Sequence, residues 1–199
     1  MIESARKTLV FWSSGKDSAF MLQKLLEDKS IEVAGLVTTI RETDKKINIH
    51  ETTEQDLEWQ AFKLRLPLQK VYLPLSCPNT VYVERILSAL IPLKSAGVTH
   101  LAFGDLFLKD IRKFREESFQ GHYQLLFPLW NCETTELAKQ IISSGIKARV
   151  VAVDEKKLSV KYIGRMFDNS FLEELPEGVD PCGENGEFHT FVYDSKEFK

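Results

Sequence analysis

Long apolar runs are missing from this chain. No stretch approaches the roughly 18 consecutive apolar residues that a membrane helix requires, so a membrane is expected neither as its home nor as its partner. Met1 to Lys7 lacks the apolar core of a secretory signal. Cysteine is scarce: Cys77, Cys132 and Cys182 are far apart and form no CxxC, which argues against a disulfide framework and a zinc knuckle and fits a reduced, cytoplasmic setting. An excess of positive charge is absent as well. With a formal net charge of −3, the chain offers no general attraction to nucleic acid; DNA is not expected, and an RNA substrate would need a local basic patch. The densest such group, Lys109, Arg112, Lys113 and Arg115, is interleaved with Asp110, Glu116 and Glu117 and reads as a solvated helix face. Repeats and low-complexity tracts are absent, and 199 residues suit one domain with a full core and leave no room for a second of similar size.

What is present is alternation. Apolar runs of strand length at 8–12, 32–40, 69–73, 100–103 and 147–153 alternate with helical patterns at 18–29, 53–65, 81–96, 111–120 and 134–144. This predicts an α/β fold, a doubly wound and mostly parallel sheet covered on both faces. Residues 1–154 read as a nucleotide-binding domain and 155–199 as a small C-terminal substrate lobe packed on it. In such a sheet the ligand sits at the carboxyl ends of the strands where strand order reverses. The loops after Trp12, Ile40 and Phe103 should therefore meet around one cleft, with the terminal 184–190 phrase on its wall. The polar 41–46 segment reads as a mobile lid.

One phrase fixes the chemistry. Ser13-Ser14-Gly15-Lys16-Asp17-Ser18 lies between the first strand and the first helix, where a small Gly-containing turn aims backbone N–H groups and a helix N-terminus at phosphate. It is not the GxxxxGK[ST] loop, because an acid sits inside the turn. A plain helix cap, with Ser13 or Ser14 capping, is compatible with the same residues. After the second strand comes Thr38-Thr39, and after the fourth Gly104-Asp105; Gly104 leaves room for a ligand, and Asp105 suits magnesium or a ribose hydroxyl, or a plain turn.

The loop resembles the SGGKDS phrase of ATP pyrophosphatases, with Ser14 where a glycine is common. Together with Gly104-Asp105, Arg112 and Glu116, Pro128-Leu-Trp130 and Gly183-Glu-Asn-Gly-Glu-Phe-His-Thr190, it resembles the diphthine–ammonia ligase family over nearly the whole chain. The resemblance implies a HUP-type, adenine nucleotide alpha hydrolase-like fold. It also implies an ATP-dependent, AMP-forming carbon–nitrogen ligase that adenylates a carboxylate, releases AMP and pyrophosphate and uses ammonium as amide donor. Its cofactors are ATP and Mg²⁺. Its partner is elongation factor 2 bearing diphthine or, because His189 and Asn185 depart from the common EGGEYET phrase toward a bacterial-type branch, a different small carboxylate.

Carried over residue by residue, Ser13, Ser14, Gly15, Lys16, Asp17, Ser18, Gly104 and Asp105 are expected to bind ATP, with Thr38 added by its place after the second strand; Lys16, Asp17 and Glu187 are expected to be catalytic, and Asp17 to hold the metal. His50, Arg112, Glu116, Glu184, Glu187 and His189 bind the second substrate. Arg112 and Glu116 also suit a surface ion pair, and His50 a solvated loop. A trimethylammonium or ammonium group would be drawn to Glu184 and Glu187 and to the faces of Trp130 or Phe188, although Phe188 opens an apolar run and reads first as core. Cys182 reads as a small buried thiol. Two other functions use the same loop: a tRNA thiolase or lysidine-type synthetase, for which paired cysteines and a basic face are lacking, and a nucleotide-binding module without chemistry, against which the Lys16-Asp17 pair argues. Oligomeric state is open, a homodimer included.

Overall fold

The computed structural model describes residues 5–47 and 52–199. Five parallel strands, β1 (Arg6–Phe11), β2 (Ile31–Arg41), β3 (Leu68–Leu73), β4 (His100–Ala102) and β5 (Gln124–Leu126), form a sheet in the order 3-2-1-4-5. Strand order therefore reverses between β1 and β4. Side chains alternate along β1: Val10 and Trp12 join one core with α1 (Lys16–Glu27) and α5 (Thr134–Ser143), while Leu9 and Phe11 face the other, with α3 (Asn79–Ser95) and α4 (Lys109–Phe119). Both faces are thus covered by helices, which makes this the doubly wound α/β sheet of the HUP type that the alternation predicts.

Local chemistry sets the remaining element ends. Thr53 and Asp56 close a reciprocal capping box on α2 (Glu54–Leu64), and Glu133 caps α5 by accepting the Thr135 and Glu136 amides. The 41–46 segment, expected to be a mobile lid, is a hydrogen-bonded turn: Lys45 N–H donates to the Arg41 carbonyl, Arg41 N–H donates to that of Lys46, and Arg41 pairs with Asp44.

Two expectations about strands change. Residues 147–153 do form a strand, β6 (Lys147–Val153), but it leaves the main sheet and pairs antiparallel with β7 (Phe188–Asp194). Ala148 and Val150 are buried while Lys147 and Arg149 are exposed, and that alternation suits a one-sided antiparallel pair better than a parallel strand buried on both faces. The fifth place in the sheet goes instead to the short β5. The 156–162 stretch, strand-like by alternation, is a turn followed by one 3-10 turn, Val160–Tyr162. The hairpin packs into the same core as α1: Phe171 of α6 (Asn169–Glu174), Phe188 and Val192 join one cluster with Val10 and Met21.

Candidate active site

At the reversal between β1 and β4 lies a cavity of about 480 Å³, within the size range of small-molecule sites. Its walls come from the loop after β1, the end of β2, the loop after β4 and the 182–190 segment. The three loops and the terminal phrase thus meet as the switch-point rule predicts.

The floor is the 13–18 loop. The N-cap position of α1 is Gly15, which has no side chain to cap it, and this end of the helix opens onto the cavity. Ser14 adopts φ 69°, the left-handed region that favours glycine. It is held there by its neighbours: its Oγ bonds Thr52 Oγ1 at 2.8 Å, and its carbonyl accepts from Val192 N–H and Gln60 Nε2. Ser14 therefore shapes the loop from behind; Ser13, Gly15, Lys16, Asp17 and Ser18 line the cavity. Gly15 is needed for close approach, since a Cβ there would sit 3.2 Å from the Thr190 carbonyl oxygen.

Lys16 is almost fully buried, and its ammonium donates to both Asp17 carboxylate oxygens, at 2.8 and 3.1 Å, and to the Cys182 carbonyl. Burial pulls its pKa down, but Asp17 outweighs burial and holds it above the ordinary value, so Lys16 is charged. The Phe167 and Phe188 rings lie 5.2 and 5.4 Å from its Nζ.

The terminal phrase divides by residue. Thr190 Oγ1 accepts the Lys16 N–H at 3.1 Å, which ties β7 to the loop. Glu184 lines the cavity with one oxygen fixed by the Leu106 N–H at 3.0 Å, and its pKa is pushed up to about 7, chiefly by burial. His189 also lines it; burial, with the Lys16 charge, holds its imidazole below the ordinary range and so neutral near pH 7. Glu187 does not line the cavity. It is buried, and its Oε1 accepts from Asp180 N–H and Asn185 Nδ2, bracing the turn that carries Glu184. Cys182 is buried with its thiol toward the Thr134 carbonyl and its pKa raised to about 12 by burial, an inert thiol.

On the β4 side, Thr38, Gly104 and Asp105 line the cavity. Arg115, which the charge pattern assigned to a solvated face, points inward: its guanidinium lies 4.8 Å from the Phe103 ring centre, donates to Tyr82 Oη, and faces Asp105 with a 3.6 Å Nε to Oδ2 separation. The signal was available in the i, i+4 spacing of Ile111, Arg115 and Phe119, which puts Arg115 on the apolar face of α4. Burial raises the Asp105 pKa against the pull of Arg115. Arg112 and Glu116 do not line the cavity; they form an i, i+4 pair at 2.8 Å, and the Arg112 guanidinium lies 4.7 Å from the centres of both the Phe127 and Trp130 rings. The Trp130 face considered for a substrate cation is thus engaged by the chain itself, and the buried Phe188 is core, facing Lys16. His50 lies outside the described residues.

Residues 6–119 match the family model for the diphthamide synthase N-terminal domain, and residues 133–199 match that for the diphthamide synthase C-terminal domain. The chain is 34% identical over 99 residues to a human diphthine–ammonia ligase and 35% identical over 99 residues to that of Danio rerio, covering 46% of this chain in each case. The match spans 37% and 39% of those relatives' own lengths, well under half of each. The chain belongs to the diphthamide synthase family.

Proposed function

We propose that the protein is an ATP-dependent, AMP-forming amide ligase of the diphthine–ammonia ligase type. The observation that carries this reading is the Ser13–Ser18 loop at the mouth of α1, with buried, charged Lys16 beside Asp17 in a cavity of one-nucleotide size. The loop amides, the Ser13 and Ser18 hydroxyls and the helix end suit the β- and γ-phosphates, which leave as pyrophosphate, and Lys16 offsets their growing charge. Thr38, Gly104 and Asp105 would hold the nucleoside side.

Magnesium fits the donor set in one form. Among the described residues no group of three or more His, Cys, Asp or Glu side chains is placed to hold a metal. Asp17 lines the cavity within the phosphate loop itself, and one or two carboxylates plus phosphate oxygens are the usual magnesium site. Bound there, the ion would neutralise charge on the phosphates; binding and orienting them falls to the loop itself.

On this reading the acyl substrate's carboxylate attacks the α-phosphorus, pyrophosphate departs, and ammonium then supplies the nitrogen that displaces AMP. Glu184 and His189 face the acceptor side. Glu187 acts as a positioning residue through the turn it braces, and Arg112 and Glu116 act on the acceptor side from outside the cavity. The acceptor is diphthine on elongation factor 2 or another carboxylate, and the setting is cytoplasmic.

The experiment is product analysis with labelled ATP, ammonium, magnesium and diphthine-bearing elongation factor 2, repeated with small carboxylates. AMP and pyrophosphate together with an amide are expected. ADP and phosphate as the sole products would overturn the mechanism.

A further inference from the structure

Three carboxylates line the cavity, and they differ in partners. Asp17 is paired with Lys16 at 2.8 Å, and Asp105 faces Arg115 at 3.6 Å. Glu184 forms no ion pair among the described residues; its Oε1 accepts the Leu106 N–H, and its Oε2 has no hydrogen-bond partner there. One oxygen is therefore anchored and the other is left for a ligand that brings a proton or a positive charge.

The backbone under Glu184 is fixed with unusual care. Gly183 sits at φ 70°, and a Cβ there would come within 2.8 Å of the Phe188 carbonyl oxygen. Asp180 Oδ1 accepts both the Cys182 and the Glu184 amides, at 2.8 and 3.2 Å, and Glu187 Oε1 accepts the Asp180 amide at 3.1 Å. Two buried or half-buried carboxylates are thus spent on holding a third in place, facing the phosphate loop.

We propose that Glu184 is the general base of the amide-forming step, the group that binds ammonium and removes its proton so that nitrogen can attack the acyl adenylate. The inference rests on the ligase reading and assigns a role within it. Ammonium has no lone pair and cannot attack. Glu184 Oε2 takes one proton from it; the freed lone pair bonds to the acyl carbon, and the carbonyl π pair moves onto oxygen. When that pair returns, the bond from the acyl carbon to the AMP oxygen breaks and AMP leaves with the bonding electrons. Nitrogen sheds its second proton to the departing phosphate, leaving a neutral amide.

The surroundings suit the task. The groups that act on Glu184 are Lys16 and Asp17 from α1 and Asp105 and the Leu106 amide from the loop after β4, with the Cys182 thiol close enough to feel its charge; neutral His189 of β7 lines the same cavity. Burial raises its pKa to about 7, the Leu106 bond and Lys16 oppose this, and Asp17 and Asp105 reinforce it. A base poised near neutrality both accepts a proton and is regenerated at working pH.

The test uses the full chain and Glu184→Gln, which keeps the side-chain shape, with diphthine-bearing elongation factor 2 as acyl probe. Hydroxylamine is the second nucleophile, because it is already uncharged at neutral pH. Glu184→Gln should lower amide formation from ammonium about 10²- to 10⁴-fold. ATP–pyrophosphate exchange and hydroxamate formation should fall far less than amide formation does, because neither step needs a proton taken from ammonium. Wild-type rate should rise with pH through about 7 and level off, whereas the variant's rate should keep rising as free ammonia accumulates. Equal loss with both nucleophiles, or loss of exchange, would overturn the assignment by placing Glu184 in adenylation; no loss with either would overturn it outright. A wild-type protein that yields no AMP and pyrophosphate with diphthine-bearing elongation factor 2 or with any of the small carboxylates defeats the ligase reading itself. Carbon-13 NMR titration of the Glu184 carboxyl decides independently of any substrate: a midpoint near 7 is expected, and one near the ordinary 4.5 would remove the base.

Discussion

The two walls of the cavity are built by opposite means. On the sheet side, position comes from regular structure: β1 and β4 end side by side, so the 13–18 loop and Gly104-Asp105 face each other because of where parallel strands stop. On the terminal side there is no regular element between α6 and β7, and position comes from glycines at positive φ and carboxylates bonded to backbone amides. Glu184 and Glu187 show the consequence. Three residues apart in one turn, one lines the cavity and the other is buried bracing it. A wall made by strand ends tolerates side-chain change at its edges, whereas a wall made by turn hydrogen bonds fails when any brace is removed.

That contrast orders the expected effects. Asp17→Asn, on the sheet-side wall, should lower AMP and pyrophosphate formation by about 10²-fold or more, and because it leaves the buried Lys16 ammonium without its carboxylate partner it should also lower the urea unfolding midpoint. An unchanged midpoint would mean that the Lys16 charge is held without Asp17. On the terminal side the effect should appear in stability. Gly183→Ala forces a side chain into the left-handed region and against the Phe188 carbonyl, a loss of about 1–3 kcal/mol by denaturant unfolding. Glu187→Ala strands the half-buried Asp180 amide and should cost about 1–3 kcal/mol as well. Glu187→Gln keeps that acceptor; ATP affinity by calorimetry should be unchanged while amide formation falls, and loss of ATP binding in a folded variant would place Glu187 in the nucleotide site.

The smallest effect is a pH dependence. Because burial raises the Glu184 pKa from about 4.5 to about 7, the folded protein holds this proton more tightly than the unfolded chain does. Its contribution to stability is fully present below about pH 4.5 and is lost as pH rises through about 7. The melting temperature of wild type should therefore fall relative to Glu184→Gln across that window. Parallel curves would show that Glu184 is solvated.

Legibility in sequence follows the same division. The order of β1 to β4, the helices between them and the convergence of Ser13, Thr38 and Asp105 could be read from apolar runs and the strand-end rule, because each depends on local periodicity. β6 was visible as a strand but not its sheet, since pairing with a partner 40 residues on leaves no local mark. The left-handed turn at Ser14 was tolerable in principle, yet the Thr52 and Gln60 bonds that hold it could not be foreseen. Arg112 and Arg115 looked alike within one charge run, and their opposite fates, one stacked outside on Phe127 and Trp130 and the other inside on Phe103, depended on helix phase. For Glu184 and Glu187 composition offered no distinction at all; only the hydrogen bonds of a folded turn separate them.

The central claim is that ATP is cleaved at the α-phosphate by a carboxylate held in this cavity. It is tested most directly with acyl substrate labelled with oxygen-18 in that carboxylate, ATP and magnesium, and mass analysis of the nucleotide released. Adenylation moves one carboxylate oxygen onto phosphorus, so AMP should carry one labelled oxygen for each amide formed, and pyrophosphate none. Unlabelled AMP, or label in inorganic phosphate with ADP as the nucleotide product, would contradict it.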